Sequence, residues 1–298
     1  MKLTEMVKNW IDRKTINRAP STISGYRTLL RKYIEPTQIG DMDAAQIDES
    51  DIIELLRPLI EAGYTRQAQL LQILVSAVFK DAVRRRVLVY NPVLCVEKVQ
   101  HITKSIQWLS EEQAQQLLKT SMDQHDPLFI AWLLMLCCGL RRGEILGLRW
   151  TDIDFERAEI HVRRQKIRVD GIVRCTRPKS AASVRDIPLD DHLLALLRLM
   201  RAGDGDILDG VTDKQLHDGL DRALIAAGVP RVTLHGLRHT MAAAAAEEGV
   251  SIKVLQTLMG HAHYQTTADI YSHVNQAPRR MAAQIIARCF VGTRLEIV

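Results

Sequence analysis

Apolar residues in the first hundred positions recur at helical spacing. Ile23, Tyr26, Leu30 and Tyr33 are separated by 3, 4 and 3 residues, which places all four on one helical face. Ser21, just after Pro20, is the expected N-cap of that helix. A second run, Ile52, Ile53, Leu55, Leu56, Leu59 and Ile60, follows Ser50 as its candidate cap. A third and longer run extends from about Thr65 to Arg86, and Asn91-Pro92 is the signal expected to stop it. Four helices and no strand are expected here, with the apolar stripes forming a core.

The stretch from about Val93 to Gln107 lacks periodicity and is the candidate linker. Ser110 and Gln113 then form a capping-box pattern that starts a new helix. A boundary near residue 104 divides the chain into residues 1–103 and 104–298. The second domain opens with helices through about Leu148. They include the apolar run Leu128–Leu140, which is too short to span a bilayer and reads as a buried helix. The period then changes to two. Ile160 and Val162, Ile167 and Val169, and Ile172 and Val173 around the turn Asp170-Gly171, alternate with polar residues; Val184 and Ile187 close the set. This pattern predicts one small antiparallel sheet of about three strands. Helical patterns return from Asp190, and the alanine run 242–246 strongly favours helix. The fold class is therefore mainly α with a small antiparallel β-sheet, a helical domain followed by an α+β one.

Hydrophobic residues make up 47% of the 298 residues and charged residues 25%, which excludes a disordered chain. The N-terminus has no apolar signal-peptide core, so a cytoplasmic location and no membrane partner are expected. Five cysteines without a Cys-x-x-Cys pair argue against a disulfide framework or a zinc site, and Cys137 and Cys138 are expected as buried thiols. The formal net charge of +5 is unevenly spread. Residues 141–185 hold 12 Lys/Arg against 6 Asp/Glu, whereas residues 186–230 hold 4 against 9. The first block is suited to facing phosphate and the second is not. Arg84, Arg85 and Arg86 end the long helix of the first domain; they either favour its C-terminus or contact phosphate.

Four local patterns carry the chemistry. They are Gly139-Leu140-Arg141-Arg142-Gly143-Glu144; Arg177-Pro178-Lys179-Ser180 followed by Arg185-Asp186-Ile187-Pro188; His235-Gly236-Leu237-Arg238-His239; and Leu258-Met259-Gly260-His261 followed by Tyr271. Each alone has an ordinary structural explanation. Together, in this order and with a short sheet between the first and third, the chain resembles the tyrosine recombinase family, which includes phage integrases. The resemblance covers nearly the whole chain and is strongest from Gly139 to Val274. It implies a helical, SAM-like core-binding domain over residues 1–103. A catalytic domain with a C-terminal tail follows over 104–298, and the two clamp duplex DNA. By motif, Arg141 is the first arginine, Lys179 the hairpin lysine, His235 and Arg238 the His-x-x-Arg pair, His261 the histidine of the Gly-His box and Tyr271 the nucleophile. Glu144 matches an acidic position that supports the first arginine. Met259 stands where another apolar residue is more usual.

Physical chemistry supports these roles. Attack on a phosphodiester builds negative charge on the non-bridging oxygens, and positioned guanidinium groups stabilise it directly. A tyrosine hydroxyl titrates near 10 and is a poor nucleophile unless assisted. His235 is the candidate for accepting its proton, His261 for donating to a phosphate oxygen and Lys179 for protonating the leaving 5′ oxygen. The scheme needs no metal, no ATP and no other cofactor, because a 3′-phosphotyrosine link conserves the energy of the cut bond.

The resemblance implies double-stranded DNA recombination sites as partner, and a homotetramer on DNA that is a monomer or weak oligomer when free. Pro278 to Phe290 carries an apolar face that either packs on its own domain or, as the resemblance implies, docks on a neighbouring protomer. DNA-bending accessory proteins are a further partner class that the sequence leaves open. Rival readings are a type IB topoisomerase and a DNA-binding regulator that does not cut. Because the first helix begins almost at Met1, no room is expected for the arm-site domain that many phage integrases carry. A simple recombinase and a trimmed chain are equally compatible with that.

Overall fold

A computed structural model of the protein describes residues 1–16, 18–102, 106–178 and 180–260. The described residues fall into two compact units that divide between Lys104 and Ser105, with Arg168–Ile172 grouping with the first. The first unit is helical: α1 (Leu3–Lys14), α2 (Pro20–Leu29), α3 (Gln38–Asp41), α4 (Glu49–Glu61) and α5 (Thr65–Arg84). The predicted stripe is real. Ile23 and Leu30 are buried and Tyr26 and Tyr33 pack against the same core. The stripe outlasts α2 because the chain continues into a π-turn over Leu30–Ile34, closed by Glu35 N donating to Leu30 O. Leu3, Val7, Ile34, Leu71, Val75 and Phe79 have no exposed surface, and burial of each contributes roughly 1.5–3 kcal/mol.

Neither cap expected here forms. Helix α2 starts at Pro20 without a side-chain cap, and Ser21 Oγ is buried without a partner among the described residues. Helix α4 is capped by Asp48, whose carboxylate accepts from the backbone of Ser50 and Asp51; Ser50 merely donates its hydroxyl to it. A carboxylate accepts these N–H bonds with full charge at the positive helix end, so it wins over the serine. In α4, Ile53 and Ile60 point outward while Ile52, Leu55, Leu56 and Leu59 are buried. Helix α5 ends at Arg84, ahead of the Asn91-Pro92 signal, where Arg86 turns to φ 59°. The first part of the expected linker is docked. Val93 is buried, and the Gln72 side chain donates to Glu97 O and accepts from Val99 N, both at 2.8 Å.

The second unit begins with α6 (Glu111–Asp123), and its Ser110–Gln113 capping box forms as the sequence predicts. Helix α7 (Phe129–Cys138) is the apolar run. All its residues but Cys137 are buried, so of the two expected buried thiols only Cys138 is one. Asp126 anchors its start, accepting from Leu128 N at 2.9 Å and Trp132 Nε1 at 2.8 Å. A short α8 (Arg142–Gly147) follows, then the strands β1 (Ile153–Asp154), β2 (Glu159–Val162), β3 (Gln165–Val169), β4 (Ile172–Thr176) and β5 (Arg185–Pro188).

They form two sheets, not one. β2 pairs with both β1 and β5, with Ile160 opposite Ile153 and Ile187; β3 and β4 form a separate hairpin. Its turn, Asp170-Gly171, has φ 50° and 81°, as a two-residue turn matching strand twist requires. The hairpin buries only Val169 of its strand residues, so no continuous apolar face draws it into the three-stranded sheet. Val184 is 40% exposed and lies outside the strands. The remaining helices are α9 (Asp191–Met200), α10 (Asp213–Ala227), α11 (Leu234–Glu247) and α12 (Ile252–Met259). The alanine run lies in α11, which packs against α7, and Ala242, Ala243 and Ala246 are buried. No described helix is long and apolar enough to cross a membrane.

Candidate active site

The end of α12 organises the site. Gly260 caps it at φ 64°, and the last carbonyls of a helix have no intrahelical donors. Here three consecutive carbonyls each receive an arginine from a different segment. Arg185 Nε donates to Leu258 O at 2.6 Å, Arg238 Nη2 to Met259 O at 2.5 Å, and Arg141 Nη2 to Gly260 O at 2.6 Å. The partial negative charge of the helix C-terminus favours cations there. Gly260 admits no side chain. A Cβ would sit 2.8 Å from Ala182 O, and its φ is one that L-residues rarely adopt.

Arg141 sits just before α8, in extended conformation. Its Nη1 donates to Glu144 Oε1 at 2.6 Å and to Ser183 Oγ at 3.3 Å, and its backbone N–H to Glu144 Oε2 at 2.9 Å. Its Nε makes no hydrogen bond among the described residues, and the side chain is 30% exposed, so donors remain open to a ligand. Glu144 is buried and holds a second guanidinium, because Arg185 donates to both of its oxygens at 3.1 and 3.0 Å. Burial pushes the Glu144 carboxyl up, but the bonds and charge of Arg185, with Arg141, outweigh that and hold it below its ordinary value.

Arg238 is fully buried in α11. It donates to Gly139 O and Met259 O, while its Nε has no partner among the described residues. Burial and the neighbouring Arg141 charge lower its pKa, yet a guanidinium starts so high that it stays cationic at neutral pH. His235, one turn earlier on α11, remains exposed at the surface. Partial enclosure of its ring, with the charges of Arg238 and Arg141, moves its pKa below the ordinary imidazole value. His239 stacks edge-to-face on His235 at 4.6 Å between ring centroids. It is buried, its Nε2 has no partner among the described residues, and burial, then His235 and Arg238, bring it to about 4.

The structure thus brings Arg141, Glu144, Arg238 and His235 together. Lys179, His261 and Tyr271 lie outside the described residues. Their described neighbours, Ser180 and Gly260, are part of the site: Ser180 Oγ is 2.9 Å from Ser183 Oγ, which in turn contacts Arg141. Arg84, Arg85 and Arg86 belong to the first unit. Arg84 pairs with the buried Asp81 at 2.6 Å, and Asp81 also holds Arg13, while Arg85 and Arg86 are exposed. Sequence reasoning assigned no role to Arg185 or Ser183. The signal for Arg185 was its strand phase: it shares the inward face of β5 with Ile187, an improbable place for an unpaired charge. A cross-strand trio, Glu159, His161 and Asp186, has ligand-type atoms within 4.8 Å, but Asp186 already accepts from Arg163 and contacts His161.

Three guanidinium groups face one carboxylate in this site, and the surplus of positive charge suits a phosphate. Residues 107–277 match the model of the phage integrase family, and residues 3–99 that of the phage integrase central domain. The chain belongs to the phage integrase family of tyrosine recombinases. Among its relatives is a tyrosine recombinase XerC-like protein of Caldanaerobacter subterraneus subsp. tengcongensis, 28% identical over 97% of this chain and 83% of that one. The ICEBs1 integrase of Bacillus subtilis is 24% identical over 82% and 73% of the two chains. The fold of the present chain is similar to that of the Tn1549 transposon integrase, with a TM-score of 0.81 at 21% identity, covering 96% of this chain and 99% of that one. Lambda integrase in a dimer on a core site gives 0.69 at 16% identity over 91% and 77%. As a member of this family the enzyme is a site-specific recombinase.

Proposed function

We propose that this recombinase cuts and rejoins duplex DNA through Tyr271, with Arg141 and Arg238 gripping the scissile phosphate. The observation that carries the reading is their convergence on consecutive carbonyls, Gly260 O and Met259 O, directly before His261. The phenolic oxygen of Tyr271 attacks phosphorus and its proton passes to His235. The lowered pKa of His235 keeps that imidazole neutral, and so able to accept, at neutral pH. The bond from phosphorus to the 5′ oxygen breaks, and Lys179 supplies the proton that oxygen needs. His261 donates to a non-bridging oxygen, and Glu144 holds Arg141 in place. Reversal of these steps on a new 5′ hydroxyl rejoins the strand, so neither metal nor ATP enters.

Related structures support the partner. The Tn1549 transposon integrase was solved with circular intermediate DNA, and lambda integrase as a tetramer on a Holliday junction. We therefore place this chain on paired recombination sites as a homotetramer, monomeric or weakly associated when free, with residues 278–290 as the exchanged segment. The helical unit over residues 1–103 serves as the core-binding domain, with Arg85 and Arg86 as candidate phosphate contacts. The unit from residue 104 is catalytic. A cytoplasmic location belongs to the same proposal.

The test is covalent capture. Wild-type protein is incubated in EDTA, without ATP, with a pool of nicked duplexes of random sequence, and protein-linked DNA is recovered after denaturation. Wild type forms an adduct and Tyr271→Phe forms none while still binding DNA. Adduct in the phenylalanine variant refutes the nucleophile. No adduct with wild type favours a regulator that does not cut. Relaxation of supercoils without strand exchange between two duplexes favours a topoisomerase.

A further inference from the structure

We propose that Arg185 is a positioning residue of this recombinase, which acts through Glu144 and Ser183 on the guanidinium of Arg141. The proposal rests on the assignment of Arg141 to the scissile phosphate. Arg185 enters from β5 with its side chain buried, and every nitrogen of its guanidinium is engaged. Two bonds go to Glu144 and so fix the carboxylate that holds Arg141. One goes from Nη1 to Ser183 O at 3.1 Å, in the turn that follows Lys179. One goes from Nε to Leu258 O, three residues before His261. A buried bidentate fork of this kind is rigid in a way that a single-point cation is not.

The fork also settles the charge of Arg141. Glu144 is shared, with two donors on each oxygen. Arg185 neutralises it from the buried side, so the positive charge of Arg141 is left for an incoming phosphate. Without Arg185, Glu144 would be balanced by Arg141 alone, and Arg141 would be drawn inward and partly cancelled. Ser183 completes the link, since its hydroxyl accepts from Arg141 while its carbonyl accepts from Arg185. Arg185 therefore acts through Arg141, and its loss should be felt in the chemical step more than in binding.

The experiment measures single-turnover cleavage of the nicked duplex recovered by covalent capture, DNA affinity and thermal melting for four proteins. These are wild type, Arg185→Lys, Arg141→Ala and the double variant. Lysine keeps the charge and loses the fork. Arg185→Lys should cleave at least about 30-fold more slowly, with affinity within about threefold of wild type and the fold intact at the assay temperature. The double variant should cleave no more slowly than Arg141→Ala, because the second change acts through the residue already removed. Cleavage by Arg185→Lys within threefold of wild type overturns the proposal. So do losses that multiply in the double variant. If Arg185→Lys does not fold, Glu144→Gln with Arg185→Met removes both buried charges together. That pair should fold and cleave as slowly as Arg141→Ala; wild-type cleavage, or a second failure to fold, overturns the proposal. Wild-type cleavage by Arg141→Ala would instead refute the underlying functional assignment and is read separately.

Discussion

Replacing Glu144 by glutamine keeps the size and shape of the side chain and removes its charge. Each carboxylate oxygen of Glu144 accepts two donors: Oε1 from Nη1 of Arg141 and Nη1 of Arg185, and Oε2 from the Arg141 backbone and Nη2 of Arg185. Whichever way the amide turns, its NH2 therefore faces two N–H donors. Removing one partner of a buried ion pair costs about 3–5 kcal/mol, because the remaining charge is left uncompensated. Arg185 is buried and bears this cost in full, whereas Arg141 is 30% exposed and recovers part of it from water. The expected loss is about 3 kcal/mol.

Because the chain has two units, unfolding is best followed with a probe confined to the second. A Trp10→Phe background removes the tryptophan of the first unit and leaves Trp108, Trp132 and Trp150, all in the second unit, to report by fluorescence in urea. The folded Glu144 carboxyl lies below its ordinary value, so its contribution is present above the unfolded carboxylate pKa and is lost as pH falls through the folded one. The gap between wild type and Glu144→Gln should therefore be full at pH 7 and close only in acid, below about 4.3. A difference under 1 kcal/mol at pH 7, or one that does not narrow in acid, would show that the two arginines do not depend on this carboxylate.

Three further outcomes are expected. Gly260→Ala combines a left-handed φ with a Cβ 2.8 Å from Ala182 O. It should destabilise the second unit by at least about 2 kcal/mol and depress cleavage, as read by urea unfolding and adduct formation. His239 titrates at about 4 when folded, so between pH 6.5 and about 4 the unfolded chain binds a proton that the folded chain does not. Stability should fall toward acid there by up to about 1.4 kcal/mol per pH unit, and His239→Gln should flatten that slope in pH-dependent melting. Deleting residues 278–298 should weaken tetramer formation on paired sites more than affinity for one half-site in gel shifts. Equal losses would mean the tail serves only its own domain.

What the sequence made legible was whatever is decided locally. The Ser110–Gln113 box, the Asp170-Gly171 turn and the alanine helix each depend on residues a few positions apart, and each formed. The caps at Ser21 and Ser50 did not, because Asp48 competes for the same backbone donors and Pro20 starts α2 without a side-chain cap. Strand alternation was also read correctly as strands, but not as sheets. Ile160 pairs with Ile187 across an intervening hairpin, and a period of two says nothing about which strands share a ladder. In the site, motif order pointed to Arg141, Glu144, His235 and Arg238, which the structure brings together. The role of Arg185 was invisible because its partners, Glu144, Ser183 and Leu258, lie as far as 73 residues away in sequence.

The same separation explains why the site is gathered on peptide carbonyls. Three arginines brought together with no acceptors would repel one another, and three carboxylates would cancel the charge that a phosphate needs. The end of α12 offers a third solution. Leu258, Met259 and Gly260 present oxygens that α12 itself cannot satisfy, so each arginine gains an orienting bond while the site keeps its positive charge. Glu144 takes both Nη groups of Arg185, and among the described residues Nε of Arg141 and Nε of Arg238 make no hydrogen bond. Electrostatic stabilisation of this kind works best when the donors are fixed before charge develops, because no reorganisation is then required at the moment of reaction. A helix end that holds cations without neutralising them meets that requirement before any DNA is bound.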